Sequence, residues 1–242
     1  MIPVELNSPL EFPLLGRGVG VRLLNVGKRY NREWIFRHCS YTFTSGKNYA
    51  ITGPNGSGKS TLLQVIAGAI LHNEGTIEYT LDTGYPMLDA NIKQPASKIK
   101  YQESSILSYQ NISIAAPYLE LIEEMTAKEM LDFHSKFKPL ILSLSIEDML
   151  KIVGLEKAVN KQLRYFSSGM KQRLKLAQAF FSNTPVLLLD EPTTNLDADG
   201  IALYQTLISN YTKDKLVIVS SNVKEEYGFC EEVIEIGKYK SA

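Results

Sequence analysis

The chain has 242 residues, 44% of them hydrophobic and 21% charged, which suits one large α/β domain or one domain with a sizeable subdomain. Its 26 Lys and Arg balance its 26 Asp and Glu, so no global field draws it to nucleic acid or to an anionic membrane surface, and no nucleic-acid partner is expected. Apolar runs such as 186–189 and 216–219 are far shorter than the ~20 residues of a spanning helix. The opening Met-Ile-Pro-Val-Glu-Leu-Asn has neither a basic nor a long apolar segment, and Cys39 and Cys230 are too few to frame a disulfide fold; a soluble, cytosolic protein is expected.

Residues 1–18 carry several Pro and Gly without a period and are expected to form a flexible arm ahead of a domain spanning 19–242. Strands are predicted at Val21–Val26, Tyr41–Thr44 and Asn48–Thr52. The next residues, Gly53 to Thr61, read Gly-Pro-Asn-Gly-Ser-Gly-Lys-Ser-Thr and match the phosphate-binding loop. Gly53, Gly56 and Gly58 permit positive φ, so the loop's N–H groups, those of Asn55 and Ser57 among them, can turn toward an anion. Lys59 adds a mobile charge for the outer phosphates, Ser60 a hydroxyl for Mg²⁺, and Thr61 opens a helix whose dipole favours negative charge. That helix is predicted from Lys59 to about Ala69, with Gly75–Tyr79 a further strand.

The polar stretch 81–110 reads as a charged surface connection or a partner-binding excursion. Two capping boxes follow, Thr126–Glu129 and Ser145–Asp148, and a third helix is predicted from about Ser167 to Ser182. With no strands between them, these helices suggest a helical subdomain, about 118–183, spliced into the α/β core. Val186–Leu189 is a run expected of a parallel strand buried on both faces. A helix face from Ile201 to Tyr211, a strand at Leu216–Ser220 and a last strand at Val233–Ile236 complete the chain.

Asp190 and Glu191 follow the buried run, at the strand end where open α/β sheets bind ligands. Asp190 is placed to hold Mg²⁺ and Glu191 to polarise a water in line with the γ-phosphate. Phe166-Ser-Ser-Gly-Met-Lys-Gln-Arg173 then resembles the signature of ATP-binding cassette (ABC) proteins, usually Leu-Ser-Gly-Gly-Gln. With Asn195-Leu-Asp197 similar to the D-loop, phosphate loop, signature, acidic strand end and D-loop stand in the family's order over almost all of the chain.

The resemblance implies a P-loop NTPase core with a mainly parallel sheet, an N-terminal antiparallel β part and an inserted helical subdomain. It implies ATP and Mg²⁺ as ligands. It also implies head-to-tail pairing with a second cassette, a copy or a related subunit, in which Ser167, Ser168, Gly169 and Asp197 close over the partner's nucleotide. Tyr30 sits where the family places an aromatic on adenine, with Trp34 the competing candidate.

Two positions depart from the pattern. Pro117 and Tyr118 stand where a Gln is expected, Gln110 lying too early and Glu120 late; Asn222 stands where a His normally contacts the γ-phosphate. Asn can donate a hydrogen bond but cannot become cationic, so slow hydrolysis is expected. The leading reading is the ATPase subunit of an ABC transporter, peripheral on the cytoplasmic face of the membrane and driving a separate permease. A soluble ABC ATPase acting on a protein assembly, as in iron–sulfur cluster assembly, and a regulatory binding-only cassette are the alternatives.

Overall fold

The computed structural model describes residues 19–80 and 110–240; the expected arm and most of the 81–110 stretch fall outside them. The strands are β1 (Gly20–Tyr30), β2 (Glu33–Thr44), β3 (Asn48–Thr52), β4 (Glu74–Thr80), β5 (Ile112–Ala115), β6 (Val186–Asp190), β7 (Leu216–Ser220) and β8 (Glu232–Glu235). The α-helices are α1 (Lys59–Ile66), α2 (Ala127–Ser135), α3 (Ile146–Ile152), α4 (Ser168–Phe180), α5 (Ala198–Tyr211) and α6 (Lys224–Tyr227).

An antiparallel sheet of order β2-β1-β4 lies beside a parallel sheet of order β5-β6-β7-β3-β8. The expected combination of parallel core, antiparallel part and helices is therefore present. Side chains alternate along each buried strand, and that alternation divides the core in two. Leu187, Leu189, Val217 and Val219 face one cluster with α2 to α5, whereas Val186, Leu188, Leu216 and Ile218 face the other with α1 and the antiparallel sheet. Each Leu in these runs is fully enclosed, worth roughly 1.5–3 kcal/mol of burial.

The capping boxes form as read. Thr126 and Glu129 close the start of α2 reciprocally, and Ser145 and Asp148 that of α3. α4 starts one residue after Ser167, whose hydroxyl accepts the Met170 N–H.

Other bounds differ from expectation for physical reasons. β1 runs on to Tyr30 because a bulge at Asn25, with φ 53, absorbs the break in alternation that ended the predicted strand at Val26. β2 begins earlier than Tyr41 because a tight turn at 31–32 pairs Tyr30 with Glu33. α1 stops at Ile66, short of the expected Ala69. The short strand β5 has no counterpart in the prediction; it is four residues held at the sheet edge by pairing with β6 rather than by a pattern of its own.

Candidate functional site

The phosphate loop joins β3 to α1. Gly53, Gly56 and Gly58 all take positive φ, and Gly58, the residue before α1, has φ 100. A Cβ on Gly58 would stand 2.6 Å from Ile35 Cγ2, so both conformation and space demand glycine there. No side chain caps α1 and its first turn holds no acid, which leaves its leading N–H groups and its dipole for an anion. Lys59 is buried beneath the loop, its Nζ donating to the carbonyls of Gly53 at 2.8 Å and Pro54 at 3.3 Å.

The parallel sheet brings distant residues to this loop. β6 delivers Asp190 at its carboxyl end, and the Glu191 N–H donates to Ser220 O at the end of neighbouring β7, 2.9 Å away. Glu191 adopts φ 41, a left-handed turn that lifts an exposed carboxylate off the strand end. A cavity of about 210 Å³ is lined by Ile35, Asn55, Gly56, Ser57, Gly58, Lys59, Ser60, Thr61 and Glu191. Beyond β7, Asn222 Oδ1 accepts the Gly53 N–H at 3.1 Å and its Nδ2 lies 3.5 Å from Asn55 Oδ1.

Asp190 is 1% exposed, and among the described residues neither carboxylate oxygen completes a hydrogen bond. Burial pushes its carboxyl above the usual carboxylate range, while the nearby Ser220 and Ser60 hydroxyls and Lys59 favour its charged form. Ser57 Oγ is likewise enclosed without a partner. A buried, unsatisfied carboxylate beside a serine hydroxyl fits a divalent cation. Among the described residues no group of three or more His, Cys, Asp or Glu could hold a metal ion.

Tyr118, at the position expected to carry Gln, is 43% exposed; its partial burial, with the Asp190 charge adding, pushes its phenol up to about 12. Its loop is pinned by Lys175 Nζ, which donates to Pro117 O at 2.7 Å.

The remaining expected residues stand apart from the cavity. Tyr30 ends β1, 49% exposed, and does not line it. Trp34 lies against two guanidiniums, Arg29 at 5.5 Å and Arg37 at 4.4 Å. Ser167, Ser168 and Gly169 open α4, and Asp197 caps α5 by accepting the Gly200 N–H at 2.8 Å.

These two helix starts are tied together by contacts the sequence did not reveal. Gln172 Nε2 donates to Pro192 O at 2.8 Å, Arg173 Nη2 donates to Asp197 Oδ1 at 3.2 Å, and a Cβ on Gly169 would come within 3.0 Å of Asn195 O. Buried Glu226 also went unread; its Oε1 accepts from Thr193 N at 2.8 Å and from Thr193 Oγ1, fixing the turn after Glu191.

The protein-family model described as ABC transporter matches residues 36–194. An uncharacterized ABC transporter ATP-binding protein of Bacillus subtilis, YybJ, is 31% identical over 218 residues, 89% of this chain and 92% of its own. The cytochrome c biogenesis ATP-binding export protein CcmA of Rhizobium etli is 30% identical over 202 residues, 82% of this chain and 86% of its own. Among solved structures, an ATP-binding cassette in a dimeric post-hydrolysis state with ADP and Pi is similar at a TM-score of 0.71 and 26% identity, covering 90% of this chain and 95% of that one.

Proposed function

The chain belongs to the ABC transporter family, and we propose that it is the subunit that hydrolyses ATP, with Mg²⁺, between two head-to-tail cassettes to drive a separate membrane permease. The observation that carries this reading is the cavity in which Glu191 faces the phosphate loop, with the unsatisfied Asp190 carboxylate beside it.

Gly53, Asn55, Gly56, Ser57, Gly58 and Thr61 bind the phosphates through their backbone N–H groups at the head of α1, and Lys59 leaves its loop carbonyls to meet the outer phosphates. Ser60 and Asp190 hold the cation. Mg²⁺, when bound, supplies charge neutralisation across the terminal phosphates. Glu191 takes a proton from a water as its oxygen bonds to the γ-phosphorus; the bond to the ADP oxygen breaks, and ADP leaves with that electron pair. Asn222 donates from Nδ2 toward the γ-phosphate but carries no charge there, so turnover is slow.

Tyr30, half exposed with a single cation against it, stacks on adenine, whereas the partly buried Trp34 has two guanidiniums against its ring. The second cassette supplies Ser167, Ser168, Gly169 and Asp197. Among the described residues no helix is long and apolar enough to cross a membrane. The permease is a separate chain on whose cytoplasmic face this one sits. Tyr118, Ile122, Phe133, Phe137 and Leu142, all exposed along 117–124 and around α2, offer the docking surface.

A tagged Glu191→Gln chain with ATP, captured from detergent-solubilised host membranes, tests the partner. Stoichiometric recovery of a multi-span protein upholds the transporter assignment. Recovery of soluble proteins alone, with the bait absent from membranes, transfers the assignment to a soluble ATPase acting on a protein assembly.

A further inference from the structure

Lys28 and Tyr30 lie two residues apart on β1, and the Lys28 ammonium stands 4.9 Å from the centre of the Tyr30 ring. That ammonium is fixed rather than free, since Nζ donates to Leu71 O at 2.7 Å. The turn bearing Leu71 is itself stitched to β1: Asn73 Oδ1 accepts the Arg29 N–H at 2.9 Å, and Asn73 N donates to Gly27 O at 2.7 Å. Trp34 cannot do the same work. Arg29 and Arg37 lie against it, Arg37 is held by a two-point contact to Glu74 at 2.8 and 2.7 Å, and a Cβ on Gly27 would come within 3.0 Å of its ring.

We propose that Lys28 is a positioning residue for base recognition: it clamps one face of the Tyr30 ring and leaves the other as a stacking platform for an adenine-type base. A cation fixed on one face holds the ring's rotamer and draws electron density from it. Both effects favour stacking of an electron-rich purine on the opposite face. This rests on the reading that Tyr30 receives the base of ATP.

Calorimetric titration of the purified chain with ATP and with inorganic tripolyphosphate separates the base from the phosphates. The wild-type chain is expected to bind ATP more tightly than tripolyphosphate, and Tyr30→Leu to lose that advantage. Lys28→Met is expected to weaken ATP about two- to fivefold and leave tripolyphosphate unchanged. Lys28→Arg, which keeps a cation over the ring, is expected to bind like wild type.

If Lys28→Met binds ATP as well as wild type or better, the clamp is wrong while the stacking of Tyr30 stands. If Lys28→Met weakens both probes equally, Lys28 acts as a distant charge and the clamp is again wrong. If Tyr30→Leu keeps the full advantage for ATP, the stacking itself fails and takes the clamp with it.

Discussion

Asn222 accepts the Gly53 N–H at 3.1 Å, so the residue two positions beyond β7 closes on the first residue of the phosphate loop, 169 positions earlier in the chain. The contact puts a neutral carboxamide where a titratable ring would lend charge or shuttle a proton. Asn222→His is therefore expected to raise phosphate release by the assembled complex by up to about a hundredfold, the lower end of the range for acid–base catalysis. Unchanged turnover in that variant would overturn the proposal that Asn222 slows hydrolysis.

Gly58→Ala tests the loop's geometry. The new Cβ meets Ile35 Cγ2 at 2.6 Å on a backbone at φ 100, and such strain costs about 1–3 kcal/mol. Thermal unfolding should fall by several degrees, and ATP affinity at least tenfold as the N–H groups at the head of α1 are re-aimed. Adding Ile35→Ala should recover only the share due to the clash. A Gly58→Ala chain that melts and binds ATP like wild type would show that the loop tolerates another conformation.

The features legible in the sequence are those written in consecutive residues. Gly53–Thr61 carries its own backbone instructions, Val186–Leu189 its own burial, and Thr126–Glu129 and Ser145–Asp148 their own caps. What escaped depends on chain-distant partners. β5 exists because β6 offers an edge to pair with; Arg173, with Lys171 and Lys175, reads as the solvated face of its helix until Asp197 folds against it, and nothing local announces the bond from Gln172 to Pro192. Nothing local marks Glu226 as buried, yet it is 2% exposed and holds Thr193.

Acid should find a weak point at His134. Burial, with Lys138 adding, depresses its imidazole to about 4 from an ordinary 6.5, while the ring contacts Ser182 Oγ at 2.8 Å. The folded chain thus binds fewer protons here than the unfolded chain between those values. His134 costs no stability above pH 6.5, costs progressively more as pH falls from 6.5 to 4, and adds nothing further below 4, in total on the order of 3 kcal/mol at most. His134→Gln keeps a hydrogen-bonding side chain and cannot charge, so urea unfolding between pH 6.5 and 4 should show a shallower loss. An equal slope in the variant would place the acid sensitivity elsewhere.

Glu191→Gln separates binding from chemistry. The amide keeps the side chain's shape, and the backbone bond to Ser220 O is untouched, so ATP should still bind; without a carboxylate no proton is taken from water and turnover should collapse. With ATP and Mg²⁺ the variant is expected to accumulate as a dimer of twice the 27.1 kDa chain mass by light scattering. Adding Ser168→Arg, an exposed change at the head of α4 and outside the cavity, should abolish the dimer while leaving ATP bound to the single chain. That pairing of outcomes is what a site shared between the phosphate loop of one cassette and the Ser167–Gly169 turn of another requires. A Glu191→Gln chain that binds ATP yet stays monomeric would count against the shared site, as would a dimer indifferent to Ser168→Arg.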